Sequence, residues 1–448
     1  MRIVIYNSNS NEFDQSSFYI EQSPKCADLY KNCLKKYTIS EIILTYQLPS
    51  NFLVDFSDKE IFENSENVKY HLLKGKTAGE IAEEILALKP DIAIQATFWA
   101  EPFDWIPIQD SLIGEILAFH GIKTISHPAE TALTCFDKRR TRDFLLENGF
   151  NAAKSVYIHH ELFRTERSHT EILNNPYQEI ALSQVKKLDF PVIIKDTFGL
   201  SSYGMDVVNT FGMAKNILMS KKNSGDRLVE EFLDGPQFGT EIHGTPGNYT
   251  IFPPFMFSTN QYGITSPKQS VKIGPVLNEK YNLPEFYRTM NKLAEKLELN
   301  GIAQVDLVFH KKKWYVLEVN PRLSGLTATI SASCGKTIPE MILDAAFAKN
   351  EKKPELKYVI DMKFPVLSSE MQQKLYDFES VLFVRQMFNK KARQHREEGF
   401  CEVIFGARNS LPELENDLEK LKENFPEIIE PEFYKKALEM LDELKSSG

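Results

Sequence analysis

The residues best suited to chemistry gather in Gly301–Leu326, GIAQVDLVFHKKKWYVLEVNPRLSGL. Glu318 and Asn320 stand two apart in an apolar run, so on a strand both side chains leave the same face. With Lys311–Lys313 as the loop of a hairpin, Asp306 lies opposite Glu318, and Gln304 opposite Asn320. One face then gathers two carboxylates with amide neighbours. Facing carboxylates repel and call for a counter-charge. Oxygen donors of this kind suit Mg²⁺ or Mn²⁺; Mg²⁺ takes one or two carboxylates and fills its remaining positions with waters and substrate phosphates. The competing reading is a solvated strand face. Arg322 follows just past the strand end, where a guanidinium meets anionic oxygens in a bidentate way, or simply forms a salt bridge. Ser324-Gly325 either lets backbone N–H groups approach an anion or is an ordinary turn.

Three further segments hold residues that suit a nucleotide. FPVIIK ends a buried-strand candidate in Lys195, and the loop after it carries Gly199, Ser201, Ser202 and Gly204. Such a loop is donor-rich enough to cover phosphates, although no GxxxxGK[ST] phosphate loop is present. Lys138 stands near the start of a helix in CFDKRRTRDFLLENGF. RLVEEFLDGPQ puts Glu230 and Glu231 at a strand end, where backbone groups meet an adenine edge and an acid takes an amine or ribose hydroxyls. Each of these segments alone reads better as a plain connection or a surface charge.

The elements that must position these residues follow from periodicity. Over residues 1–127, strands at Arg2–Tyr6, Ile42–Tyr46, Asp91–Gln95 and Ile122–Ile125 alternate with helices at Thr77–Leu88 and Asp110–His120. That alternation predicts a parallel sheet with helices on its faces. His127-Pro128 marks a boundary, and residues 128–349 form the second unit. It opens with one helix from about Thr131 to Asn148 and continues with strands at Phe190–Lys195, Arg227–Phe232, Ile302–Phe309 and Trp314–Val319. A charged stretch, Asn350–Pro354, leads into residues 350–448, read as a small α+β appendage. The fold class is therefore α/β and α+β.

Composition narrows the function. The chain has 448 residues with 26% charged and 42% hydrophobic, an ordinary globular balance. A net charge of −9 gives no broad basic face, which argues against nucleic acid as the main partner. The five cysteines are scattered with no CxxC pair, as expected of free thiols in a reducing compartment. No run is long and apolar enough to span a bilayer, and the opening MRIVIYNSNSNEFD is not expected to act as a signal peptide. A cytoplasmic protein without a membrane partner is expected.

Taken in order, DKRRT, FPVIIK with its glycine–serine loop, VEEFLDGPQF, VDLVF and LEVNPRLSG resemble the ATP-grasp superfamily of ATP-dependent carboxylate–amine ligases. The resemblance covers roughly residues 90–348. That superfamily includes D-alanine–D-alanine ligase, biotin carboxylase and the L-amino-acid ligases. The resemblance implies an ATP-grasp fold behind an N-terminal parallel-sheet domain, with ATP and Mg²⁺ as cofactors. It places Lys138 and Lys195 on the nucleotide, Gly199–Gly204 over the phosphates, and Glu230, Glu231, Phe232 and Leu233 at the adenine hinge. It places Asp306, Glu318 and Asn320 on the metal, and Arg322 beside an acyl phosphate. Lys268, with Lys272 as its rival, falls where a further phosphate contact arises. Three positions depart from the family pattern: Asp196 stands for a common proline, Gln237 for a ribose-binding glutamate, and Gln304 for an arginine of D-alanine–D-alanine ligases.

The implied reaction joins an amino acid or small carboxylic acid to an amine through an acyl phosphate. The extra 350–448 segment is similar to what L-amino-acid ligases and carboxylases carry and compact D-alanine–D-alanine ligases lack. A carboxylase-like or purine-pathway ligase and a non-catalytic ATP-binding module are the alternatives. Partners are small-molecule carboxylates and amines, and a homodimer is common among similar ligases.

Overall fold

The computed structural model describes residues 1–8, 26–47, 66–97, 105–164, 175–198, 205–220, 225–260, 263, 270–348, 355–387 and 400–446. Its first sheet is parallel: β1 (Arg2–Tyr6), β2 (Glu41–Tyr46), β3 (Val68–Leu72), β4 (Ile92–Gln95) and β5 (Lys123–Ile125) stand in the order β3-β2-β1-β4-β5. The unbroken apolar runs of β1 and β2 suit strands covered on both faces. Val4, Tyr6 and Ile43 pack on one face against Ile81, Ile85, Ile113 and Leu117 of two helices, Ala78–Ala87 and Ile106–Phe119. The first of these helices starts with a capping box between Thr77 and Glu80.

The other face of this sheet is covered from far along the chain. Ile3, Ile5, Ile42 and Leu44 share a core with Ile338, Met341 and Ile342 of the helix Ile338–Phe347. Asp344 of that helix pairs with Lys36 at 2.7 Å. The N-terminal sheet therefore does not bury its two faces with its own segment.

A second, antiparallel sheet comprises β6 (Ser155–Ile158), β7 (Val192–Asp196), β8 (Asp206–Val208) and β9 (Arg227–Glu231), in the order β6-β9-β7-β8. Helices Pro176–Val185 and Phe211–Met219 close its core through Ala181, Val185, Ala214 and Leu218.

Among the described residues the third sheet has nine strands: β10 (Gln237–Thr245), β11 (Asn248–Ile251), β12 (Phe255–Phe257), β13 (Val271–Gly274), β14 (Gly301–His310), β15 (Lys313–Asn320), β16 (Tyr358–Phe364), β17 (Val381–Met387) and β18 (Phe400–Arg408). They run β15-β14-β10-β12-β13-β16-β18-β17, with β11 paired to β10. The expected appendage beyond residue 350 thus supplies three strands to the sheet that holds the carboxylate hairpin. The same apolar core runs beneath both parts and includes Trp314 and Val319 of β15 as well as Met362 of β16 and Phe405 of β18.

Two local expectations change. The helix expected from Thr131 to Asn148 is two helices, Ala129–Phe136 and Lys138–Glu147, broken at Asp137. Asp137 leaves helical geometry because its carboxylate caps the second helix, accepting from the N–H groups of Arg139 and Arg140. The hairpin loop is also shorter than expected. Only Lys311 and Lys312 turn, with φ of 46° and 61°, and Lys313 already belongs to β15. A bulge at Leu317 absorbs the displaced residue, so Asp306 still faces Glu318, and Gln304 faces Asn320.

Among the described residues, no helix is long and apolar enough to cross a membrane.

His127 joins the first and third sheets. Its Nε2 donates to Ile302 O at 2.9 Å, and its Nδ1 accepts from Asn300 N at 3.2 Å. Burial pushes the imidazole down from its ordinary 6.5 to about 4. The unfolded chain therefore binds a proton that the folded one refuses, and stability falls as pH drops from about 6.5 to about 4. This one site accounts for roughly 3 kcal/mol over that span. Chemical denaturation of His127→Gln should show a correspondingly flatter profile between those pH values than the unsubstituted chain.

Candidate functional site

The antiparallel register lays one row of side chains across the third sheet. On β14 and β15, Asp306 faces Glu318, and Gln304 faces Asn320. On the neighbouring β10, Gly239 lies beside Asp306, and Glu241 beside Gln304. Gly239 leaves room for its neighbours, since a Cβ there would meet the Phe257 ring at 2.2 Å and Leu326 at 3.1 Å and would have to displace that ring. The face is polar at its β15 edge and floored by these apolar groups further in.

A hydrogen-bonded chain fixes the polar groups. Gln304 donates from Nε2 to Asp306 Oδ1 at 2.5 Å and accepts from Asn320 Nδ2 at 2.9 Å. Arg322 donates from Nη2 to Asn320 Oδ1 at 2.9 Å. The Leu323 N–H donates to Thr97 O at 2.9 Å, which anchors the Arg322 turn on the end of β4. Burial and the Glu318 carboxylate push Asp306 up to about 7, against the Gln304 hydrogen bond and the charge of Arg322. Burial likewise lowers Arg322, partly offset by Glu318, Asp306 and Glu241.

Lys138 comes to this face from the first turn of its helix. A cation at a helix N-terminus opposes the helix dipole, and burying it adds to the cost. Lys138 is nevertheless buried, and its Nζ lies 3.6 Å from Glu318 Oε1. Its backbone N–H donates to Thr197 O at 2.7 Å, so the same turn reaches the second sheet just before the glycine–serine loop.

On the second sheet, Lys195 pairs with Glu230, both buried, across the β7–β9 ladder. Glu231 points to the opposite face, toward Lys154 and the Asp189 N–H. Phe232 donates its N–H to Pro191 O at 3.0 Å, and Leu233 follows it into the turn. Gly235 has φ of 157°, and a Cβ there would come within 2.3 Å of Phe309 O. That close approach ties the strand end Glu230–Leu233 to the hairpin. Gln237 donates from Nε2 to Gly263 O at 2.6 Å.

Gly199, Ser201, Ser202, Gly204 and Lys268 lie outside the described residues. Lys272, the rival of Lys268, is described: it is buried and pairs with Asp361 at 2.5 Å on β16. Sequence reasoning missed Glu241. It is fully buried, accepts from Thr327 Oγ1 at 2.5 Å and Ser324 Oγ at 3.1 Å, and pairs with His243 at 2.7 Å. Its signal was the alternation Gln237, Gly239, Glu241, His243, which continues the strand beyond VEEFLDGPQF.

No group of three or more His, Cys, Asp or Glu converges as a metal cage among the described residues. The hairpin offers two carboxylates and an amide. This donor set fits a hard cation that keeps waters and shares phosphate oxygens, better than one wrapped by protein alone.

Residues 160–326 match the ATP-grasp domain family. The chain carries an ATP-grasp domain. Its overall shape agrees with solved ATP-grasp enzymes: an L-amino acid ligase from Bacillus licheniformis aligns with a TM-score of 0.63 and 16% identity, over 94% of this chain and 97% of that one. A biotin carboxylase from Campylobacter jejuni aligns with a TM-score of 0.59 and 15% identity, over 98% and 95%. At such identity the likeness is one of fold, and the fold is ATP-grasp. By sequence, a carbamoyl-phosphate synthase from Methanobrevibacter smithii is 26% identical over 224 residues, 48% of this chain and 60% of that one. The C-terminal section of the carbamoyl phosphate synthase large chain from Aquifex aeolicus is 23% identical over 277 residues, 60% and 48%. The chain thus spans less than two thirds of these curated relatives. Within the ATP-grasp domain fall Lys195, Glu230, Asp306, Glu318, Asn320 and Arg322; Lys138 lies before it and Lys272 inside it.

The half-buried Asp306 carboxyl yields a stability prediction. Its folded value of about 7 lies above the ordinary 3.8, so it contributes stability at low pH that is lost as pH rises through about 7. Asp306→Asn should therefore be more stable than the unsubstituted chain at pH 8, by roughly 2–4 kcal/mol, with the gap closing toward pH 4. Urea titrations of metal-free protein at those pH values measure it.

Proposed function

We propose that the chain is an ATP-dependent carboxylate–amine ligase that joins an amino acid or small carboxylic acid to an amine. The observation that carries this reading is the facing pair Asp306 and Glu318, with Asn320 beside it and Lys138 and Arg322 bringing positive charge to the same face of an ATP-grasp sheet.

In this reading Asp306, Glu318 and Asn320 hold a divalent cation. When bound, Mg²⁺ neutralises charge on the triphosphate. Lys195, neutralised by Glu230, stands toward the nucleotide at the base of the glycine–serine loop, with Lys138 on the phosphate side. The segment Glu230–Leu233 offers backbone groups to the adenine edge. A carboxylate oxygen of the substrate attacks the γ-phosphorus, the β–γ bridge breaks, and ADP departs. The amine then attacks the acyl carbon, phosphate leaves, and the amine gives up its proton. Arg322, held by Asn320 and by the Leu323 carbonyl, presents its guanidinium where negative charge builds on the acyl phosphate. The protein's contribution is positioning and charge complementarity. A cytoplasmic setting and small-molecule partners belong to this reading.

The test is release of ADP and phosphate from MgATP across a panel of amino acids and amines, with the coupled product followed by mass spectrometry. Phosphate release that requires an amino acid and matches product one for one is the expected result. Release that requires bicarbonate and no amino acid would favour a carboxylase-like enzyme instead. Glu318→Gln should lower kcat by about a hundredfold or more, while the circular dichroism spectrum stays unchanged.

A further inference from the structure

The row of side chains on the third sheet does not end at the carboxylates. It continues through Lys272 on β13 to Asp361 and Lys363 on β16, Glu402 on β18 and Arg385 on β17, paired strand to strand. Three cations therefore meet two carboxylates. Lys272 Nζ lies 2.5 Å from Asp361, 3.5 Å from Glu402 and 3.2 Å from Gly325 O. Arg385 donates to Glu402 at 2.9 Å. Thr329 adds a bond of 2.6 Å to Asp361. These contacts engage both carboxylates, although only Oδ2 of Asp361 is hydrogen-bonded and its Oδ1 has no hydrogen-bond partner among the described residues.

Lys363 is left over. Its nearest acid is Glu402 at 3.9 Å, and its ammonium lies 4.3 Å from the Phe400 ring centroid. Its Nζ donates no hydrogen bond among the described residues. The open side of the cluster is also cationic. The Asp361 and Glu402 side chains are 1% and 0% exposed, whereas Lys363 and Arg385 retain 14% and 13%. The site lies against the helix that follows Arg322: a Cβ on Gly325 would stand 3.8 Å from Lys363 Nζ. A largely buried ammonium that meets its nearest acid only at 3.9 Å and donates no hydrogen bond gains when a closer anionic partner arrives. In keeping with this, burial pushes the Lys363 ammonium down to about 8 despite the acids near it.

We propose that Lys363 and Arg385, with Lys272 behind them, form an anion subsite that takes a substrate carboxylate other than the one being activated. The proposal rests on the ligase reading for its substrate, but its chemistry is that of the cluster itself. Two sources share this chemistry: a second carboxylate on the donor acid, or the α-carboxylate of an acceptor amino acid.

The primary test needs no turnover. The full chain is acetylated with limiting N-hydroxysuccinimidyl acetate, with succinate or with neutral succinamide present, and labelling is read by peptide mass spectrometry. Lys435, 77% exposed, serves as the internal reference. Saturating succinate should slow labelling of Lys363 about tenfold, the scale of a charge-assisted hydrogen bond, with Lys435 unchanged. Arg385→Met should weaken that protection. Equal labelling with succinate and succinamide would overturn the proposal. In the turnover assay, Lys363→Met should raise the KM of the substrate bearing the extra carboxylate about tenfold, with kcat within about twofold. Comparing amino acids with their carboxamides, first as donor and then as acceptor, assigns the source. If no acid–amine pair supports phosphate release, the ligase reading fails, while the labelling result still decides the subsite.

Discussion

Two carboxylates held face to face on one β-hairpin are the constraint around which the rest of the structure is arranged. Like charges directly opposed on a sheet are destabilising, and burial adds to the cost. The effect is visible in Asp306, whose carboxyl is held near neutrality by burial and by Glu318. The fold spends several elements on this pair. A helix breaks at Asp137 so that Lys138 reaches Glu318, a turn anchored on Thr97 holds Arg322 beside Asn320, and Gln304 links the two strands. A protein using this face only as scaffold would do better with apolar residues of similar size.

The nine-stranded sheet gives the pair a longer reach. The carboxylates Asp306, Glu318 and Glu241 collect on β14, β15 and β10, and three cations interleaved with Asp361 and Glu402 follow on β13, β16, β17 and β18, all on one face. The helix Gly325–Cys334 lies over the middle of this row, its first turn touching Glu241 through Ser324 and Thr327 and touching Lys272 through the Gly325 carbonyl. The N-terminal sheet is fastened to the same region by His127 and Thr97 and by the helix Ile338–Phe347. The three segments of the chain are therefore mechanically joined at the site rather than strung beside it.

Much of this was legible in the residues. The pairing of Asp306 with Glu318 followed from period-two spacing, although by a route that needed correction: the turn is one residue shorter than expected, and the bulge at Leu317 restores the register. Bulges leave little trace in an apolar run such as WYVLEV, so the sequence alone does not reveal them. The parallel arrangement of the first sheet was legible as alternation through four of its five strands, but β3 (Val68–Leu72) was not read, nor was the distant helix covering one face, because long-range packing carries no local signal. Glu241 was missed for a simpler reason, since its strand continues past the motif that drew attention. Asp361 and Glu402 were invisible for the reason Lys272 was ambiguous: their partners lie about a hundred residues apart, and only sheet order brings them together.

The central claim is that the hairpin face grips a divalent cation beneath a triphosphate. Mn²⁺ titration followed by electron paramagnetic resonance, with and without a non-hydrolysable ATP analogue, tests it most directly. The claim requires a single tight Mn²⁺ site that forms with the analogue bound and disappears when Asp306→Asn and Glu318→Gln are combined in a folded protein. Unchanged Mn²⁺ binding in that double variant would contradict it.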